Sequence, residues 1–94
     1  MIVVEGGPAE LKRRGHDPAS LRAANPSAAI VTVAPFGQIG PDADAPATDL
    51  TLMCASGISR LLTGQVDDLG EAPIRPVGHQ SAFLGGLAAA CAAM

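Results

Sequence analysis

The apolar positions of this chain fall in short clusters separated by glycine and proline, and the spacing within each cluster names its element. Ile2-Val3-Val4 is a β-branched run closed by Gly6-Gly7 and reads as a strand. Pro8 to Arg14 follows, with proline in the first turn, Glu10 early and Lys12, Arg13 and Arg14 late, the charge order a helix dipole favours; Gly15 supplies its stop. A second short helix repeats the device, with Asp17 as N-cap, Pro18 at the first helical position and Asn25-Pro26 as terminator. Leu11 and Leu21 are the expected inward anchors of these helices. Ala28 to Ala34 is a near-continuous apolar, β-branched segment, the pattern of a strand covered on both faces. Together these elements predict an α/β fold of short parallel strands with flanking helices.

Ala34 to Ala47 then forms a loop of roughly fourteen residues, a length at which connections are often functional. It leaves the end of a strand, where open α/β sheets bind their ligands. Thr48 or Ala47 caps the next expected helix, Asp49 to Leu62, whose apolar face is Leu50, Met53, Cys54, Ile58, Leu61 and Leu62, with Thr63-Gly64 closing it. Gln65 to Gly78 is a polar, proline-bearing connection. The last helix begins at His79 or Gln80 and is expected to start exposed and end buried. Gly85-Gly86 within it predicts close approach of another backbone, since each glycine costs about 1 kcal/mol relative to alanine there. The opening on a strand and the stop inside a helix read as a partial domain spanning 1–94 with both ends truncated.

Composition narrows the function classes. Of the 94 residues, 48% are hydrophobic and 16% charged, which suits a globular domain rather than a disordered tail. The two aromatics, Phe36 and Phe83, leave a core of small side chains that removes little area from water per residue. A net charge of −3 with no basic stripe argues against nucleic acid. Ala82 to Met94 is weakly polar but about thirteen residues long, short of the ~20 a membrane span needs, so no membrane partner is expected. The first residues lack the basic start of a signal peptide, and a cytoplasmic location is expected. Cys54 and Cys91 stand far apart in apolar surroundings and read as small buried hydrophobes rather than a disulfide or metal pair.

Few residues are candidates for chemistry. In Pro35-Phe36-Gly37-Gln38-Ile39-Gly40-Pro41, glycine and proline set an unusual backbone path, and Gln38 offers donors and an acceptor, so the loop can face a phosphate or carbonyl or simply join strand to helix. His79, flanked by Gly78 and Gln80 at a helix start, is available as a base, a hydrogen-bond partner or a weak nucleophile, or else is structural. His16 reads as a solvated turn residue. Asp49 reads as a first-turn carboxylate that serves its own helix. Asp42, Asp44, Asp67, Asp68 and Glu71 read as solvated loop acids, with no spacing that would hold a metal. Ser56, Ser59 and Ser81 have neither an adjacent base nor a nucleophile-elbow pattern.

In order along the chain, Leu21-Arg22-Ala23-Ala24-Asn25-Pro26, the strand, Pro35-Phe36-Gly37-Gln38-Ile39-Gly40-Pro41, Asp49-Leu50, Ser56-Gly57, Thr63-Gly64 and Gly85-Gly86-Leu87-Ala88-Ala89 resemble the family III CoA-transferases. That CaiB/BaiF group includes formyl-CoA transferase and α-methylacyl-CoA racemase. The resemblance implies part of a Rossmann-like large domain, with a small domain and most CoA contacts lying in other segments, and a homodimer of threaded chains in the full-length protein. It implies no permanently bound cofactor; acyl-CoA and a small carboxylic acid are the substrates, and Phe36, Gly37, Gln38 and Gly40 face the ligand. In family transferases an aspartate at the head of a helix attacks the thioester and forms a mixed anhydride, and His79 takes that position here. Imidazole cannot form the anhydride. The racemase branch carries histidine directly before the Asp-Leu pair, where this chain has Thr48 before Asp49-Leu50. An atypical transferase, a non-catalytic subunit or pseudoenzyme, and a truncated product without independent function all fit this pattern.

Overall fold

Ile2–Glu5 (β1) and Ile30–Val33 (β2) pair in parallel, with Ile2 opposite Ile30 and Glu5 opposite Val33. The Ile2 amide donates to the Ala29 carbonyl at 2.8 Å and the Gly6 amide to the Val33 carbonyl at 3.0 Å, closing the pair at both ends. Two helices make the crossover a parallel pair requires, Pro8–Arg14 (α1) and Pro18–Ala24 (α2). The computed structural model describes residues 1–94 as two compact units, one of Met1–Pro46 with Gly85–Met94 and one of Ala47–Leu84. The mixed α/β architecture with short parallel strands and flanking helices is the one the sequence predicts.

In the first unit the core centres on Leu11, 1% exposed, with Ala43 at 7%. α1 follows from its ends: Pro8 starts it, and Gly15 at φ 69° turns its amide back onto the Leu11 and Lys12 carbonyls. Asp17 caps α2, its carboxylate accepting from the Ser20 amide at 3.2 Å and the Ser20 hydroxyl at 2.6 Å. Those two bonds hold the Asp17 carboxyl below its ordinary range. Leu21 is only half-buried. β1 alternates half-buried and exposed residues, whereas β2 is half-buried at all four positions, so its faces are only partly covered, less than its continuous apolar run predicts.

The second unit corrects the sequence reading of one helix over 49–62. Asp49–Ala55 (α3) and Ile58–Thr63 (α4) are separated by Ser56 and Gly57, the latter left-handed at φ 77°. The cause is local. The Ser56 hydroxyl donates to the Met53 carbonyl at 3.0 Å and accepts from the Ile58 amide at 3.4 Å, offering the backbone partners outside the helical ladder. Thr48 and Thr51 form a capping box that starts α3. The break rotates the expected apolar face: Met53 and Ser59 are buried, while Leu50, Cys54, Leu61 and Leu62 are exposed.

The terminal helix Gln80–Ala92 (α5) departs from expectation too. It is apolar all round and has no buried residue, with Phe83 74% and Leu87 63% exposed, so it does not end buried. Nor do its glycines admit another backbone. A methyl on Gly85 would meet the Val33 side chain at an ordinary 3.8 Å, and one on Gly86 would meet nothing within 4 Å. Cys54 and Cys91 are exposed free thiols rather than buried hydrophobes, because the positions they share with helix faces have no covering element.

Candidate functional site

Both parallel strands end at one edge of the first unit, where β1 gives Gly6-Gly7 and β2 gives the loop that begins at Ala34. The loop turns at Gly37 (φ 81°) and Gly40 (φ 124°), conformations that side chains with a Cβ resist. Methyl groups built at these glycines meet no atom within 4 Å, so the backbone there is open to solvent. Gln38 Nε2 donates to the Gly6 carbonyl at 2.9 Å and fastens the loop to the end of β1. Its Oε1 remains as an acceptor at the loop surface. Phe36 is half-buried and Ile39 is 92% exposed.

A second fastening lies six residues on. Ala43 is buried, and Asp44 Oδ1 accepts from the Ala9 amide of α1 at 2.8 Å. Gly7, the N-cap of α1, has no side chain to serve its helix, and a methyl there would stand 2.6 Å from Asp44 Oδ1 and 3.2 Å from the Ala43 carbonyl oxygen. Asp44 is exposed, as the sequence suggests of a loop acid, and in addition holds the first turn of α1. Its partner lies 35 residues away, and no local pattern signals the pairing.

His79 belongs to the other unit. It is exposed at the head of α5, and its carbonyl accepts from the Phe83 amide at 3.3 Å. The carboxylate serving this helix start is Asp49, whose Oδ1 accepts from the Ser81 amide at 2.8 Å and the Ser81 hydroxyl at 2.6 Å. Asp49 thus caps α5 instead of its own helix, which Thr48 already caps. The two Ser81 bonds, the first cause, and the nearby His79 and Arg75 hold the Asp49 carboxyl below its ordinary 3.8. The sequence reading missed this role because Ser81 lies 32 residues downstream.

The CoA-transferase family III model matches residues 2–94. This chain belongs to the CoA-transferase family III. Neither a curated protein nor a solved structure matches it significantly. Membership accounts for the mixed α/β architecture and carries a CoA-transferase-like function, with CoA thioesters as substrates. For a family III CoA-transferase the two described sites have different contents. Phe36, Gly37, Gln38 and Gly40 form one open, glycine-shaped surface at the strand ends, while His79 stands at a helix head beside the Asp49–Ser81 cap. No group of three or more His, Cys, Asp or Glu side chains is gathered as a metal site.

Proposed function

We propose that this chain is part of a CaiB/BaiF-type transferase that moves CoA between an acyl-CoA thioester and a carboxylic acid. In this exchange R–CO–S–CoA and R′–COO⁻ give R–COO⁻ and R′–CO–S–CoA. The match over residues 2–94 carries the reading. The open loop supports it, since Gln38 Oε1 and the unhindered backbone at Gly37 and Gly40 suit the amides and thioester carbonyl of an acyl-pantetheine arm. Glu5, Asp42 and Asp44 lie on that edge or its loop, and their charge disfavours the phosphates of CoA there. Exposed apolar side chains such as Ile39, Leu61 and Phe83 support a homodimer of the full protein, and two exposed free thiols suit the reducing cytoplasm.

A second reading, a non-catalytic CoA-transferase-like subunit, is favoured by one observation. The His79 side chain is exposed and has no hydrogen-bond partner to orient it, unlike a general base held by a third group. Incubation with a panel of acyl-CoA donors and carboxylic acids, read by mass spectrometry of the CoA products, separates the two. New acyl-CoA in the wild type, lost in His79→Ala, supports the enzyme. CoA binding without transfer, with transfer gained in His79→Asp, supports the subunit. Absence of both binding and transfer overturns the reading.

A further inference from the structure

We propose that Asp44 is the positioning residue of the loop that carries Phe36 to Gly40, holding that loop against the strand ends through the Ala9 amide. The inference rests on the reading that this loop contacts the CoA thioester. Three observations carry it. Gln38 anchors one side of the loop on the Gly6 carbonyl, the buried Ala43 and the Asp44 carboxylate anchor the other, and residues 39–42 arch between. Of the two side-chain bonds, that of Asp44 meets an amide of a helix start that has no partner within its own helix, so any oxygen acceptor at this position serves it. The third observation is Gly7. Its missing Cβ is the space Asp44 Oδ1 and the Ala43 carbonyl occupy, so the β1–α1 turn and the loop are seated on each other.

The anchoring has a functional consequence. A loop fixed at both sides presents Gln38 Oε1 and the glycine backbone in one arrangement before ligand arrives, and binding then loses less conformational entropy. Asp44 itself touches no ligand in this account. It acts through the loop.

The test compares wild type with Asp44→Ala, Asp44→Asn and Gly7→Ala, measuring ¹⁵N order parameters and CoA affinity by titration of the whole chain. In Asp44→Ala and Gly7→Ala the order parameters of Gly37, Gln38 and Gly40 fall from about 0.85 to below about 0.6, while Val31 and Val33 in the ladder are unchanged. CoA binding weakens about tenfold in the same two variants. Asp44→Asn, which keeps an oxygen acceptor for Ala9, stays near wild type in both readouts. Loosening confined to Ala9, Glu10 and Leu11 would make Asp44 a plain helix cap and overturn the proposal, as would equal loosening of loop and ladder. If CoA shifts no wild-type resonance, the CoA reading fails, and the order parameters still decide the role of Asp44.

Discussion

The starts of α1 and α5 solve one physical problem with the same device. The first amides of a helix lack internal partners. Both starts follow a glycine closely, Gly7 in one unit and Gly78 in the other, and each draws its carboxylate from far along the sequence. Asp44 makes one bond, to Ala9, from an exposed loop, whereas Asp49 is itself fixed in the first turn of α3 and makes two bonds to Ser81. Surroundings differ in the opposite sense. α1 buries its own Leu11; α5 buries nothing. The comparison teaches that an imported cap does most where packing does least: α1 has Leu11 to hold it, and α5 depends on its tether.

Leu11→Ala breaks the packed side of the comparison most severely. It should lower unfolding free energy by about 2–5 kcal/mol, read by urea denaturation with circular dichroism. Gly7→Ala should cost about 1–3 kcal/mol in the same measurement, because its methyl displaces Asp44 or the loop backbone. An unchanged midpoint would mean the turn and loop are not seated together.

Acid titration sharpens the other side. Asp49 and Asp17 have folded carboxyls lowered from 3.8, so the stability they give is present above that value and is lost as pH falls through the lower folded ones. Helicity measured down to pH 2 should therefore drop below about pH 4. Asp49→Asn should remove part of this acid transition by keeping a neutral acceptor for Ser81. An acid profile identical to wild type would show that Asp49 does not hold α5.

The smallest effect concerns α4, where the Ser59 hydroxyl is buried with no hydrogen-bond partner. Ser59→Ala should be neutral or stabilising by up to about 1 kcal/mol, since it removes an unsatisfied group. A clear destabilisation by thermal melting would instead reveal a partner for the hydroxyl.

The elements legible in the sequence are those whose signals are local. Pro8 and Gly15 bound α1, Asp17 and Pro18 start α2, and the β-branched runs mark both strands. Residues 49–62 misled because their helical apolar period continues through Ser56-Gly57, while the bonds of the Ser56 hydroxyl decide the break. The apolar pattern of α5 carried no information on burial, since a helix apolar on every side points to no face. At the candidate site, the glycine-shaped loop was legible from composition. Asp44 and Asp49 were not, because each finds its partner more than thirty residues away, and isolated acids resemble solvated ones.

The two exposed thiols fall one to each unit, Cys54 in Ala47–Leu84 and Cys91 in Gly85–Met94. The natural sequence therefore carries its own pair of labelling points. Spin labels attached there, without any introduced cysteine, make a molecular ruler whose distance distribution with and without acyl-CoA reports whether the units respond to the ligand together.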